Sequence, residues 1–305
     1  MSSGHLAWKL IHQIANDQIT QSPNFPMNIR SALIEAAQRL SDTSNPRLDA
    51  ETLLMHVLQR ERSYLYAHPE FELACGELTC YYDAVLQRAH GIPLQYITGH
   101  QEFWGLDFKV TPAALIPRPE TEHSVEAVLG IAKSINAPRV IDVGTGSGCI
   151  AIALASELPT AEIHAVDISA DALAVAKENA QRLGFADRIS FAESDLLAAC
   201  RDRAAYFDIV VSNPPYVGSN EPDKVQREVR EHEPRIAVFG GPTGLEVYAR
   251  LIPQARTVLK QGGWLVMEIG YSTEAQIKAM LKDWSHVRAE CDLQGIPRVV
   301  IASNP

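Results

Sequence analysis

Length, composition and charge already exclude several classes of protein. The chain has 305 residues, and its 46% hydrophobic and 21% charged residues are typical of a folded chain, of about two domains, rather than of a disordered one. It carries 27 Lys and Arg against 37 Asp and Glu, a formal net charge of -10, which argues against a protein whose main role is to bind phosphate backbones.

The first 27 residues are predicted to form a weakly ordered leader. From Asp17 onward this stretch is rich in Gln, Asn, Ser and Pro, which are typical of irregular structure. It lacks a positively charged segment followed by an apolar core, so no secretory signal is expected. The longest apolar run, Cys149–Ala155, is far shorter than the roughly 20 residues that span a bilayer. We therefore expect a cytoplasmic protein without a membrane partner.

Residues 28–99 are predicted to form a small helical domain. Leu33, Ala36 and Leu40 recur at helical spacing, and the same pattern resumes after Pro46, which fits the first turn of a helix. No alternation typical of strands intervenes.

Residues 100–118 are predicted to form a hairpin linker between the two domains. Phe103, Trp104 and Phe108 favour strands, and Gly105 supplies a turn. We expect Phe103 and Trp104 to pack within the hairpin.

Residues 119–305 are predicted to form an α/β domain of the Rossmann type. Apolar runs of strand length alternate with helical patterns such as Ala170–Leu183 and Leu245–Leu259, which indicates a parallel sheet covered on both faces. Ligands of such sheets bind beyond the carboxyl ends of the strands. The seven predicted strands are Arg139–Val143, Glu162–Asp167, Ile189–Glu193, Phe207–Asn213, Gly263–Ile269, Val287–Leu293 and Arg298–Ala302.

A glycine-rich turn follows the first of these strands and predicts a nucleoside site. Its residues are Gly144, Thr145, Gly146, Ser147 and Gly148. Glycines permit a tight turn and let backbone amides approach a ligand, although such turns are often only structural. The spacing is G-x-G-x-G, whereas the dinucleotide fingerprint is G-x-G-x-x-G, so S-adenosylmethionine fits better than NAD.

Acidic residues after the next two strands extend this predicted site. Asp167 lies 19 positions after Gly148, where its carboxylate can accept hydrogen bonds from both ribose hydroxyls. Asp195 and Leu196 follow the third strand, where adenine would lie. Asp195 is equally well explained as the N-cap of a following helix.

The sequence Asn213-Pro214-Pro215-Tyr216 ends the fourth strand and predicts an amide or amine substrate. The Asn213 side-chain carbonyl and the Pro214 backbone carbonyl can each accept one N–H of a planar NH2 group. Pro215 has no N–H to compete, and Tyr216 offers a flat face. Such acceptors stabilise positive charge on the attacked nitrogen, so no strong general base is expected. The alternative is an ordinary turn, which Asn-Pro often opens.

These motifs resemble the S-adenosylmethionine-dependent methyltransferases that modify planar amides and exocyclic amines. Three further stretches, Leu115–Glu122, Glu228–Gly241 and Gly244–Tyr248, are similar to the peptide chain release factor N5-glutamine methyltransferase family. That family methylates the glutamine side chain in the Gly-Gly-Gln motif of release factors. The similarity covers roughly residues 28–302.

The resemblance implies roles for particular residues. The turn 144–148 and Asp167 would hold the cofactor, which leaves as S-adenosylhomocysteine, and 213–216 would hold the glutamine, with Asn213 contacting the cofactor as well. Leu196 would lie beside the adenine, where the family often has an aromatic residue, so stacking is not implied here. The helical domain would meet the release factor.

Several alternatives remain open. A ribosomal-protein glutamine methyltransferase shares the N-P-P-Y sequence but usually lacks the run 118–122. A DNA adenine or cytosine N-methyltransferase would flip its base into the same kind of pocket, but the acidic composition disfavours nucleic-acid binding. A module that only senses S-adenosylmethionine would not need the N-P-P-Y turn, and the glycine spacing disfavours a dehydrogenase.

No metal site is expected, and two charged residues near the predicted site, Arg118 and Glu120, each have two alternative roles. The five cysteines form no C-x-x-C pair, and the histidines show no metal-binding spacing. Glu120 and Arg118 could act in the site or pair structurally. Glu122 is interpreted as a first-turn helix residue.

Overall fold

The computed structural model describes residues 27–220 and 225–305 in two compact units that divide between Thr98 and Gly99. The predicted leader, residues 1–27, lies outside the described residues except for Met27. Within the described ranges, no helix is both long and apolar enough to cross a membrane.

The first unit consists of helices around one apolar core, as the sequence predicts. Asn28 caps the first helix by accepting a hydrogen bond from the Ser31 amide at 2.9 Å, and Pro46 begins the second. Tyr81 is fully buried and donates its hydroxyl to the Ala50 carbonyl at 3.0 Å, which joins the second helix to the fourth. The helices are α1 (Ile29–Arg39), α2 (Pro46–Leu58), α3 (Arg62–Ala67), α4 (Cys75–Ala89) and α5 (Leu94–Thr98).

The second unit begins with a hairpin of β1 (His100–Phe103) and β2 (Leu106–Lys109). Its two turn residues, Trp104 and Gly105, both have positive φ (55° and 69°), as tight hairpin turns with matching twist require. Phe103 is buried against Phe108 with ring centroids 6.1 Å apart, as the sequence predicts.

Seven strands form the sheet of the second unit, in the order β5-β4-β3-β6-β7-β9-β8. The strands β3 to β7 pair in parallel, while β9 pairs antiparallel with both β7 and β8. The strands are β3 (Arg139–Val143), β4 (Glu162–Asp167), β5 (Ile189–Glu193), β6 (Phe207–Ser212), β7 (Leu259–Glu268), β8 (Ser285–Cys291) and β9 (Pro297–Ser303).

Helices cover both faces of this sheet because its strands are apolar on both sides. Residues of α6, α7 and α8 share one buried cluster with Val140, and residues of α11 and α12 share another with its neighbour Ile141. The helices are α6 (Glu122–Ala132), α7 (Cys149–Glu157), α8 (Ala170–Leu183), α9 (Arg227–His232), α10 (Arg235–Val238), α11 (Glu246–Val258) and α12 (Glu274–Met280).

The predicted α/β fold with an N-terminal helical region is confirmed, with one difference in strand direction. The alternation of strands and helices predicts parallel pairing throughout, but β8 and β9 are joined by a tight turn instead of a helix. In that turn the Asp292 amide donates to the Ile296 carbonyl at 2.9 Å, and Gly295 has a φ of 77°. The chain therefore reverses directly and adds an antiparallel pair at the edge of the sheet.

Candidate active site

The sheet order places the site at the carboxyl end of β3. The chain continues from β3 to β4 and β5 on one side, and then returns to β6 on the other. Open α/β sheets bind ligands where strand order reverses in this way. The glycine turn, Asp167 and Asn213 follow β3, β4 and β6, so this topology brings the predicted site residues to one edge.

The glycine turn is tight and is held by the neighbouring strand. The amides of Gly144 and Thr145 both donate to the Val166 carbonyl, at 2.8 and 3.0 Å. Buried Asn179 on α8 donates to the carbonyls of Ser147 and Lys109, at 3.0 and 2.9 Å, and so connects the turn to the hairpin. No local pattern in the sequence indicates this role of Asn179, because its partners lie 32 and 70 positions away.

Gly148 is a packing position at the start of α7. Its φ is 85°, and a Cβ there would lie 3.1 Å from the Ala176 Cβ. Among the residues of the turn, Gly146 and Gly148 do not line the cleft described below, whereas Gly144, Thr145 and Ser147 do. Gly148 thus shapes the turn by letting it approach α8.

Gly148→Ala is expected to destabilise the fold by about 1–3 kcal/mol, because alanine would be strained at this φ and crowded against α8. Gly130→Ala is the matched control, since Gly130 is exposed in helix α6 with no atom within 4 Å of an added Cβ. The control should be neutral or stabilising by up to about 1 kcal/mol. Urea unfolding measures both, and equal effects would contradict the packing role.

Asp167 ends β4 and fits the predicted ribose contact. Its Oδ2 accepts the Gly146 amide and its Oδ1 accepts the Ser169 amide, each at 2.9 Å. A carboxylate has about four acceptor positions, so two amides leave acceptor capacity for hydroxyl groups. Ser147 Oγ is buried with no nitrogen or oxygen partner in the described chain, and Ser147 lines the same cleft. The site therefore offers polar atoms suited to a nucleoside.

Most of the predicted cofactor residues line one cleft. Leu196 lines it in a left-handed backbone conformation, with a φ of 52°. The Asp195 carboxylate, also in the lining, pairs with Arg250 of α11 and caps no helix with its side chain. The predicted site residues in this lining are Gly144, Thr145, Ser147, Asp167, Leu196, Asn213 and Pro215.

A second cleft, of about 390 Å³, adjoins the first. Its lining contains all of Asn213, Pro214, Pro215 and Tyr216, and it also contains Glu268. Asn213 and Pro215 belong to both linings, so the N-P-P-Y turn forms the boundary between the two clefts.

A buried hydrogen-bond chain supports this turn. The Asn213 Nδ2 donates to Thr121 Oγ1 at 3.0 Å, and Thr121 Oγ1 donates to Glu268 Oε2 at 2.6 Å. The Tyr216 hydroxyl lies 3.4 Å from Glu268 Oε1. Burial raises the pKa of Glu268 to about 7, while its bond from Thr121 acts in the opposite direction. Burial also raises the pKa of Tyr216 well above its ordinary value.

Arg118 and Glu120, the two charged residues with alternative roles, each pair with an oppositely charged side chain. Arg118 forms an ion pair with buried Glu233, whose other oxygen accepts the Ile116 amide at 3.2 Å. Glu120 lies 3.7 Å from Arg298. These pairs hold the segment before α6 against the rim of the second cleft, where Arg118, Glu120 and Arg298 all appear.

Glu122 has a structural role that agrees with the sequence interpretation. It begins α6, and its Oε1 accepts a hydrogen bond from the Trp104 amide at 2.8 Å. The glutamate thereby fixes the turn of the hairpin.

Asp142, in β3, is fully buried beneath the glycine turn. Its Oδ2 accepts a hydrogen bond from the Thr145 hydroxyl at 2.6 Å. Burial raises the pKa of Asp142 to about 7, and the nearby Asp167 contributes to the rise, while the bond from Thr145 opposes it.

In the native chain, Asp142 is expected to make the free energy of unfolding decrease as the pH rises. The variant Asp142→Asn should not show this decrease. The unfolded carboxyl ionises near pH 3.8 and the folded one near 7, so between these values the folded state binds more protons. The free energy of unfolding of the native chain therefore falls across this window and is level above it. Asparagine keeps an acceptor for Thr145, so the variant should gain up to about 4 kcal/mol relative to the native chain from pH 4 to 8. Urea unfolding across pH measures the difference, and a constant difference would contradict the assignment.

Sequence reasoning missed Thr121, Glu268, Asp142 and Glu233 as parts of the site. Thr121 and Glu233 lie in stretches that carry the family resemblance, but the resemblance implies no role for either. The available signal for Asp142 and Glu268 was a charged residue inside an otherwise apolar strand, since such residues are rarely buried without a partner. Within the described ranges, no group of three or more His, Cys, Asp or Glu residues is arranged to hold a metal ion.

Comparisons with known proteins agree with this fold. Residues 31–99 match a family described as PrmC N-terminal domain, and residues 136–299 match a family described as methyltransferase domain. The hMettl16 catalytic domain, solved in complex with MAT2A 3'UTR hairpin 6, has a TM-score of 0.55 and 19% identity over 73% of this chain and 82% of that one, a likeness of fold.

Two relatives are similar to this chain over most of their length. The chain is 50% identical to the release factor glutamine methyltransferase of Koribacter versatilis, over 92% of this chain and 99% of the relative. It is 45% identical to the protein of that name from Moorella thermoacetica, over 84% of this chain and 90% of the relative.

The fold and the family match define a methyltransferase domain, and the relatives indicate that its methyl donor is S-adenosylmethionine. At 50% identity over nearly the full length of a relative, the chain belongs to the release factor glutamine methyltransferase family.

Proposed function

We propose that this enzyme transfers a methyl group from S-adenosylmethionine to the side-chain amide nitrogen of the glutamine in the Gly-Gly-Gln motif of peptide chain release factors. The observation that carries the proposal is that Asn213 and Pro215 line both clefts, so the turn that would grip an amide separates the cofactor cleft from a second pocket. The names of the relatives support the choice of release factor as the acceptor.

The first cleft would hold the cofactor. Asp167 would accept the ribose hydroxyls, Leu196 would pack beside the adenine, and the turn 144–148 would approach with its backbone. When bound, S-adenosylmethionine supplies a methyl group on a positively charged sulfur and leaves as S-adenosylhomocysteine. Ser147, buried without a nitrogen or oxygen partner in the described chain, is a further polar group in this lining.

The second cleft would hold the glutamine side chain. Asn213 Oδ1 and the Pro214 carbonyl would each accept one N–H of the carboxamide, which orients its nitrogen toward the first cleft. Pro215 presents no competing donor, and Tyr216 would face the planar amide. Acceptors fixed in this way stabilise the positive charge that develops on nitrogen.

A strong general base is not required for this reaction. The amide nitrogen can lose its proton after the methyl group has moved, so the main tasks of the protein are alignment and stabilisation of charge. The buried carboxylate of the second cleft, Glu268, contacts Thr121 and Tyr216. Through these two contacts Glu268 would support the N-P-P-Y turn.

The helical unit would recognise the release factor. We propose a substrate-recognition domain at 28–99, a hairpin linker at 100–118 and a catalytic domain at 119–305, preceded by the leader 1–27. Release factors act in the cytoplasm, so the enzyme would work there. The acidic net charge of -10 gives no support for direct binding of nucleic acid.

A three-substrate assay tests the acceptor. The full chain is incubated with S-adenosylmethionine labelled in its methyl group and with purified release factor, ribosomal protein or DNA. We expect label in the release factor, and mass spectrometry should locate it on the glutamine of Gly-Gly-Gln. A release factor with that glutamine changed to alanine is the control and should stay unlabelled. Label in the ribosomal protein or DNA alone would overturn the proposal.

A further inference from the structure

The support beneath Asn213 decides which way its side-chain amide faces. Glu268, the last residue of β7, and Thr121, just before α6, are each only 2% exposed. Both contacts from Asn213 through Thr121 to the carboxylate have ordinary hydrogen-bond lengths, 3.0 and 2.6 Å.

The direction of these hydrogen bonds follows from chemistry. An ionised carboxylate only accepts, and a threonine hydroxyl has one proton to donate. Since Thr121 gives that proton to Glu268, its oxygen can only accept from Asn213. Asn213 must therefore turn its NH2 toward Thr121, which leaves Oδ1 for the opposite side. The reversed amide would bring two acceptors together and leave a buried bond unmade.

We infer that Glu268, acting through Thr121, is a positioning residue that fixes Asn213 with its oxygen toward the acceptor amide. This rests on the proposed function, in which the acceptor presents N–H groups to Asn213. A reversed Asn213 would present donors to those donors and would not hold the substrate. The same carboxylate lies near the Tyr216 hydroxyl, so it supports both ends of the N-P-P-Y turn.

Protonation of Glu268 would remove this control. A neutral carboxyl can donate its own proton to Thr121, which frees the threonine hydroxyl to donate toward Asn213 and permits the reversed amide. Burial places the Glu268 pKa at about 7, so the change falls in weakly acidic solution. The titratable and charged groups that act on Glu268, or on which it acts, are Glu120, Cys149, Tyr216, Tyr248 and Arg298.

Thr121 provides the first test with a matched pair of variants. Thr121→Val keeps the shape but removes the hydroxyl, so kcat should fall about 10- to 100-fold while the Kd for S-adenosylhomocysteine changes less than about threefold. Thr121→Ser restores the hydroxyl and should return kcat to within about threefold of the native value. A native kcat in Thr121→Val, or a Thr121→Ser variant as slow as the valine variant, would overturn the inference.

Glu268→Gln provides the second test. Glutamine cannot titrate, and like the protonated carboxyl it can donate a hydrogen bond to Thr121, so at every pH the variant should show the reduced kcat that the native chain has in weakly acidic solution. In the native chain kcat should decrease as the pH is lowered, with a midpoint near pH 7. In the variant kcat should not change across this range. A merely structural glutamate predicts the same profile in both, which would overturn the inference.

The orientation of the Asn213 side chain can also be tested in the free protein, without any methyl transfer. The side-chain NH2 signals of Asn213, assigned by their loss in Asn213→Ala, can be followed by nuclear magnetic resonance in the free protein. They should shift in Thr121→Val and shift with pH through about 7 in the native chain but not in Glu268→Gln. Signals that shift neither in Thr121→Val nor with pH in the native chain would overturn the inference. The kinetic tests use the acceptor that the native chain is found to methylate. If the native chain does not methylate release factor, that result overturns the proposed function but not the inference about Glu268.

Discussion

Asn213→Ala is expected to lower kcat by about 10²- to 10³-fold, the range measured when one preorganised polar group is removed from a catalytic site. Alanine retains the backbone of the turn but has no oxygen to accept the substrate N–H. Thr121 and Glu268 remain bonded to each other, so the surrounding structure loses only one partner. The rate is measured by methyl transfer to release factor at saturating S-adenosylmethionine.

Binding of the cofactor separates this role from a general disturbance of the site. Isothermal titration of Asn213→Ala with S-adenosylhomocysteine should give a Kd within about threefold of the native value, because one lining residue among many is truncated. Asn136→Ala, an exposed asparagine just before β3, is the matched control and should change neither quantity. Loss of cofactor binding together with native turnover of the remaining complex would contradict the role assigned to Asn213.

Much of the fold could be predicted because its strands are local apolar runs bounded by polar residues. The strands Arg139–Val143, Glu162–Asp167 and Ile189–Glu193 and the helix Ala170–Leu183 begin and end where the sequence predicts. The sequence predicts that the fifth strand begins at Gly263, but the strand begins at Leu259, because Leu259 pairs with Phe207 on β6 and a bulge follows this pair. That pairing depends on a neighbouring strand, so no local pattern reveals it.

The cofactor turn and the amide-binding turn were also recognisable from sequence, since each is a short contiguous motif. Their support was not recognisable, because Thr121 and Glu268 are 147 positions apart and meet only through the order of strands. The partner of Arg118 lies 115 positions away at Glu233. Local motifs thus predict which groups meet a ligand, while the contacts that orient those groups depend on the folded sheet.

Asp167→Ala is expected to raise the Kd for S-adenosylhomocysteine by about 10- to 100-fold. Hydrogen bonds to a charged acceptor contribute about 1.5–3 kcal/mol each, and alanine removes the carboxylate entirely. The same change frees the amides of Gly146 and Ser169, so the glycine turn also loses a support. Isothermal titration measures the affinity, and Asp187→Ala, at an exposed aspartate, is the matched control.

A ligand without ribose hydroxyls distinguishes a direct contact from this effect on the turn. If Asp167 accepts hydrogen bonds from the ribose, the 2',3'-dideoxy analogue of S-adenosylhomocysteine should bind the native chain about 10- to 100-fold more weakly than the parent ligand. In Asp167→Ala the two ligands should then bind almost equally, because the partner of the hydroxyls is already absent. Should the analogue lose the same factor in both proteins, Asp167 would act only on the turn, and the ribose contact would have to be assigned elsewhere.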